Sequence, residues 1–183
     1  MRLFFITALL LTLCASAIGQ RRQNNVFKTG AQRLRHVQGY KGIDGSYGIS
    51  QLGSLYSLGG MFYMMDNNSV RVKGLFENGS VVGNELKRYN VDIVYAYSPI
   101  DLSGFVFVNL LGGAAANISH GVFGEELNIR SGINFGALAG IEVEAFVAGT
   151  FSFFISADQR VHVYDNYGRW RNYSQVGLRY NFK

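Results

Sequence analysis

Apolar and polar positions alternate with a period of two along most of the chain, most clearly over residues 88–97. There Tyr89, Val91, Ile93, Tyr95 and Tyr97 share one face of an extended strand, and Arg88, Asn90, Asp92, Val94 and Ala96 share the other. Side chains of a strand point alternately to its two sides, so this pattern builds one greasy, aromatic face and one small or polar face. The last ten residues repeat it, with Val176, Leu178, Tyr180 and Phe182 opposite Gly177, Arg179 and Asn181. Six further strands are predicted over residues 40–50, 55–65, 70–77, 104–114, 133–142 and 151–163.

Turn signals separate these stretches. Asp66-Asn67-Asn68 is a strong one, Ser98-Pro99-Ile100-Asp101 is predicted to turn the chain, a short connection falls at 52–54 and a longer one at 144–150. Polar loops are predicted over 78–84, 115–127 and 164–172. The count is about eight strands, each near the roughly 9–11 residues that an oblique membrane strand needs. The loops after the third, fifth and seventh strands are longer than the turns after the second and fourth, as in barrels with long loops on one side. The expected fold is therefore all-β, a small antiparallel up-and-down outer-membrane β-barrel. A transmembrane helix over residues 137–155 is the apolar rival, but Glu142, Glu144, Gly140 and Gly149 lie within it. Each acid at a helix centre costs roughly 2.5–3.5 kcal/mol on insertion. A lipocalin-like ligand-binding barrel has the same periodicity with its faces exchanged, and period alone does not say which face points out.

The chain begins with Met1-Arg2, an apolar run from Leu3 to Ala15, and small residues at Ala15-Ser16-Ala17 and Gly19. That is the layout of a secretory signal peptide over residues 1–19, with cleavage after Ala17 or Gly19, too short for the roughly 20 residues of a span. Export to the bacterial outer membrane is expected. Cys14, the one cysteine, falls inside this segment, so the exported chain carries no disulfide and no thiol chemistry. Residues 20–38 form a basic periplasmic leader with Arg21, Arg22, Lys28, Arg33 and Arg35 and no acid. A solvated leader is the plain reading of such a stretch, and an arm that docks an acidic partner or lipid headgroups is the sharper one. Residues 39–183 are the predicted β-barrel domain.

Composition agrees with a sheet: 14 Phe, 11 Tyr and 23 Gly stand against a single Pro in 183 residues. The net charge of +5 is too modest to suggest direct nucleic-acid binding.

If the apolar face meets lipid, the other face lines a lumen that an eight-stranded barrel fills with side chains. The lumen candidates are Arg71, Lys73, Glu77, Arg88, Asp92, Glu142, Asp158, Arg160 and Arg179. Both signs are present, so these are expected to pair into an internal network that blocks conductance, since an unpartnered buried charge is costly. Lipid-facing girdle positions are Tyr89, Tyr95, Tyr97, Tyr180 and Phe182, with Tyr40 and Tyr63 also near strand ends. Outer-membrane lipid is the expected partner. Chemistry has thin support: His36, His120 and His162 show no metal-ligand spacing. Ser119-His120 are adjacent rather than poised as nucleophile and base, and no phosphate-binding glycine loop occurs. No catalytic residue, cofactor, metal or small-molecule substrate is expected.

Three segments carry a resemblance. Phe135-Gly136-Ala137-Leu138-Ala139-Gly140-Ile141-Glu142 is a glycine-rich strand with an acidic end, Phe153-Phe154-Ile155-Ser156-Ala157-Asp158-Gln159-Arg160 is the next strand, and Val176-Gly177-Leu178-Arg179-Tyr180-Asn181-Phe182 has a G-x-R-[FY]-N-F ending. In order, spacing and length the chain resembles the conjugative-transposon TraO family of Bacteroidetes, departing from it in Lys183 after the last aromatic. The resemblance implies an outer-membrane component of a conjugation apparatus that works beside other transfer proteins, as a scaffold without catalytic residues. A general small surface barrel with no part in conjugation is the alternative.

Overall fold

A computed structural model of the chain describes residues 36, 38–81, 84–102, 104–123, 127–130, 133–147, 149–163 and 169–183. The predicted signal peptide and all of the leader except His36 and Gln38 lie outside the described residues, as does the side chain of His120.

Among the described residues the regular structure is entirely strand: β1 (Lys41–Ser50), β2 (Gly53–Met65), β3 (Asn68–Val81), β4 (Asn84–Leu102), β5 (Val106–Phe123), β6 (Leu127–Arg130), β7 (Asn134–Phe146), β8 (Phe151–His162) and β9 (Trp170–Phe182). The sheet runs β4-β3-β2-β1-β9-β8-β7-β5, and β4 also pairs with β5, which closes it into an eight-stranded antiparallel barrel. β6 is an addition to the side of β5, where Leu127–Arg130 pair with residues 120–123. Closure removes the sheet edges, so every barrel strand has two hydrogen-bonded neighbours. The first and last strands meet over most of their length, from Lys41 opposite Phe182 to Ser50 opposite Tyr173.

β1 begins and β9 ends at one mouth of the barrel, called proximal below, which also carries the β2–β3, β4–β5 and β7–β8 turns. The β1–β2, β3–β4 and β8–β9 connections and the β5–β6 hairpin lie at the distal mouth.

Four predicted connections are corrected. The chain does not turn at Ser98-Pro99-Ile100-Asp101. β4 runs through it to Leu102, with a shift of register between Tyr97 and Ile100. Pro99 has no N–H to give the ladder, so the strand bulges there instead of stopping. The turn comes at Gly104, whose φ is +71° and whose N–H donates to Asp101 Oδ1 at 2.6 Å. The loops expected over 78–84 and 115–127 are largely strand, because β3, β4 and β5 stay paired up to Val81–Asn84 and Leu86–Gly121. Beyond the hydrocarbon the outward positions need not be apolar, so the period-two signal fades while the backbone ladder continues. The connection expected at 144–150 begins later, since Glu144 and Phe146 belong to β7.

The tight turn at Asp66-Asn67 is where it was expected, with Asn67 at a positive φ of 66°.

The apolar faces point outward. Ile93 is 59 % exposed and Leu178 64 %, whereas Arg88, Asp92 and Arg179 are buried. This disposes of the lipocalin-like reading, whose apolar face would have to line a cavity. Tyr63 is also corrected: it shares parity with Leu55, Ser57 and Met61 and is buried in the interior, not on a girdle.

The charge-filled lumen as candidate functional site

Strand parity alone decides what enters the lumen. On β9 the inward positions are Arg171, Tyr173, Gln175, Gly177, Arg179 and Asn181, and on β7 they include Leu138, Glu142, Glu144 and Phe146. All nine predicted lumen residues, Arg71, Lys73, Glu77, Arg88, Asp92, Glu142, Asp158, Arg160 and Arg179, are buried on this inner side.

Glu142 is the hub. Its carboxylate accepts from Arg71 Nη1 at 2.9 and 2.8 Å, from Arg179 Nη1 at 3.1 Å and Nη2 at 3.2 Å, and from Asn109 Nδ2 at 2.8 Å. Arg179 reaches on to Asp44 Oδ2 at 3.4 Å and to Glu144 Oε2 at 2.7 Å. Its guanidinium lies 4.7 Å from the centre of the Phe154 ring, and Lys73 Nζ lies 5.2 Å from the same ring. Phe154 thus gives two cations a π face in the buried interior.

A second cluster joins β4 to β8. Arg160 donates to Asp92 Oδ1 at 3.0 Å and to Asp158 Oδ1 at 2.7 Å, and its guanidinium stacks 4.1 Å from the Tyr173 ring centre. Towards the distal mouth, Glu77 accepts from the Tyr173 hydroxyl at 2.9 Å and from Arg88 Nη1 at 3.5 Å, and also from Ser50. Arg171 Nη1 stands 3.9 Å from the same carboxylate, and Arg88 Nε donates to Ser119 Oγ at 2.7 Å.

These contacts run across the barrel, not along its wall. Arg71 on β3 meets Glu142 on β7, and Asp92 on β4 meets Arg160 on β8, each pair three strands apart around the circle. The interior is therefore tied together and filled by side chains. Among the described inward residues six cations (Arg71, Lys73, Arg88, Arg160, Arg171, Arg179) balance six carboxylates (Asp44, Glu77, Asp92, Glu142, Glu144, Asp158). Charge-assisted pairs of this kind rigidify a polar core only when its members find partners.

Asp44, Glu144, Arg171 and His36 belong to this interior and were not among the sequence candidates. Asp44 and Glu144 could have been found by parity: Asp44 sits on the polar face of its strand, and Glu144 is two residues beyond Glu142. Arg171 also keeps step with Arg179, although the stretch 164–172 around it reads as a loop. Nothing in the sequence marks His36, which precedes the first strand.

Ser119 faces inward and is engaged by Arg88. His162 also faces inward, where its Nδ1 lies 2.9 Å from Asn117 Nδ2. Among the described residues no cluster of three or more His, Cys, Asp or Glu is arranged to hold a metal.

The girdle candidates lie on the outer surface. Tyr89, Tyr95, Tyr97 and Tyr180 are exposed and Phe182 is half-buried. Tyr180 packs between Phe151 at 4.8 Å and Phe182 at 5.9 Å near the proximal mouth. An outward row of Tyr47, Tyr56, Phe76 and Tyr89 crosses β1 to β4 nearer the distal mouth, with ring spacings of 5.2, 6.5 and 5.2 Å. Between the two rows the surface is apolar, the disposition of aromatic belts flanking a hydrocarbon band.

No protein-family model matches the sequence, and no curated protein matches it. Solved structures do share the fold. The N-terminal β-barrel domain of Pseudomonas aeruginosa OprF aligns with a TM-score of 0.62 at 13% identity, over 79% of this chain and 98% of that one. Neisserial surface protein A gives 0.64 at 14% identity, over 78% and 96%. Ail, the attachment invasion locus protein of Yersinia pestis, gives 0.54 at 15% identity, over 80% and 100%. The chain has the fold of the small outer-membrane β-barrels.

Proposed function

We propose that this protein is an outer-membrane β-barrel that serves a conjugative DNA-transfer apparatus as a structural component, holding other transfer proteins at the membrane. The observation that carries the structural role is the lumen: a charge-balanced interior tied across by Arg71–Glu142–Arg179 and Asp92–Arg160 is built for rigidity, not for passage. The outward apolar belt supports contact with membrane lipid, and the fold it shares with small outer-membrane barrels supports that location. The conjugation role rests on the resemblance of the β7, β8 and β9 sequences to the TraO family. It is tested by deleting the gene from a donor cell and measuring transfer frequency. Transfer should fall by orders of magnitude and return with the wild-type gene, and the barrel should be recovered from the outer membrane only with detergent.

A small surface barrel without a conjugation role is the second reading, favoured by the fold it shares with Neisserial surface protein A and Ail. Unchanged transfer from the deleted donor would select it.

A further inference from the structure

Towards the distal mouth the outer wall of the barrel is not alike all round. On β3 and β4 the outward positions beyond Phe76 and Tyr89 are polar and exposed: Asn78 and Ser80 on one strand, Lys87 and Glu85 on the other. On β8 and β9 the polar break is a row of Gln159 paired with Asn172, with Ser174 beside them, all three exposed. Lipid tails offer such groups no hydrogen bond, so this row marks the edge of the hydrocarbon. Distal to the row the wall turns apolar again. Val161 pairs with Ala137 on one side and Trp170 on the other, and the Val163 N–H donates to the Phe135 carbonyl at 2.9 Å. Phe135, Val161, Val163 and Trp170 therefore form one outward patch across β7, β8 and β9. Phe135 is 64 % exposed and Trp170 61 %, as much as the belt residue Leu178, yet both lie beyond the polar row.

We propose that this patch is where two copies of the chain meet, side by side in the membrane, about a two-fold axis along the membrane normal. An exposed apolar patch on the order of 400 Å² is large enough to mark an interaction site. Three features choose a second copy as its occupant. First, the patch faces sideways, so whatever covers it arrives in the plane of the membrane and at that level. A second copy inserted in the same direction presents the same patch there, as an isologous contact requires. Second, the outward positions of β7, β8 and β9 carry no charged side chain, in contrast to Lys87 and Glu85 on β4, so two such faces meet without repulsion. Third, the polar row below the patch is self-complementary, because the Gln159 and Asn172 amides each hold donors and an acceptor. With the axis beside β8, the middle strand of the three, β9 of one copy lies against β7 of the other. Trp170 of one then meets Phe135 of the other, and Arg169, exposed just before β9, is carried to opposite flanks.

The test is cross-linking of the full chain in a Cys14→Ala background, folded into phospholipid vesicles at high lipid excess and treated with a short bis-maleimide. Val163→Cys puts a thiol beside the axis, and Asn78→Cys puts one beyond the belt on β3, the strand opposite β8 in the ring. Phe135→Cys and Trp170→Cys chains, one of them tagged, are folded together to probe the flanks. All four replaced side chains are exposed on the outer wall, so each variant keeps the buried interior intact. The expected result is at least about tenfold more cross-linked dimer from Val163→Cys than from Asn78→Cys, because a held contact raises the effective concentration of the two thiols. The mixed sample should give the Phe135–Trp170 product in preference to either residue with itself. A Val163→Cys yield no higher than that of Asn78→Cys would overturn the proposal. Like-with-like products in place of the mixed one would overturn it too, since a two-fold axis beside β8 keeps those pairs apart. So would a Val163→Cys chain that in intact cells cross-links only to a different protein, which would then be the occupant.

Discussion

At the scale of single residues, Glu142 and Gly177 show how narrow the tolerances inside this barrel are. Glu142 is fully buried and answers two guanidinium groups, Arg71 and Arg179. Glu142→Ala leaves Arg71 without its carboxylate in a buried interior, while Arg179 keeps Glu144 and Asp44, and removing one partner of such a pair typically costs about 3–5 kcal/mol. Glu142→Gln keeps the shape and the acceptor oxygen and should cost less. Urea titration of the refolded protein, read by the mobility difference between folded and unfolded chains, should rank wild type above Glu142→Gln above Glu142→Ala. Gly177 has a different role. A Cβ there would lie 2.5 Å from Phe154 Cζ and 2.6 Å from the Gly45 carbonyl oxygen, so the absence of a side chain is what lets Phe154 sit under Arg179 and Lys73. Gly177→Ala should destabilise by about 1–3 kcal/mol through overpacking. Gly45→Ala, facing outward with its nearest neighbour at 3.9 Å, should be close to neutral in the same titration.

At the scale of the strand, period two controls which change is harmful. On β9, Leu178 is exposed to the apolar surroundings between the aromatic rows, whereas Ser174 lies on the same face nearer the distal mouth, beside Asn172. Leu178→Lys should cost about 2–4 kcal/mol and Ser174→Lys about 0–1 kcal/mol when the barrel is folded into lipid vesicles and titrated with denaturant. The contrast should shrink in a detergent that tolerates a charged side chain. The same periodicity explains how much could be read before the fold was known. Eight strands, their faces and nine inward charges follow from alternation, because in the hydrocarbon zone each outward position must be apolar. Outside that zone the constraint lapses: Asn78-Gly79-Ser80 and Asn117-Ile118-Ser119 look like loop but stay hydrogen-bonded. Pro99 reads as a turn because local chemistry does not reveal that a neighbouring strand will tolerate a bulge. His36 was illegible for another reason. Its place is set by contacts with Ser98 and Glu144, 62 and 108 residues away, and no local pattern encodes a meeting at that separation.

At the scale of the molecule, the question is whether a closed ring of eight strands passes ions. An ion entering from the proximal mouth meets His36, then the Glu144–Arg179–Glu142–Arg71 group, then Asp92–Arg160–Asp158, and finally Glu77 with Arg88 and Arg171. Each of these groups reaches from one wall to another, so passage requires breaking paired charges in a medium where an unpaired one is expensive. Among the described residues, equal numbers of inward cations and carboxylates also leave no excess charge to recruit an ion of either sign. Purified protein in a planar bilayer should therefore show no large, steady conductance at neutral pH, even when fluctuation gives brief small events. His36→Ala should leave this silence intact, because the groups deeper in the lumen still cross it. A large steady pore from the wild-type chain would mean that the cross-lumen pairs do not hold in the membrane, and the scaffold role argued from them would fall with it.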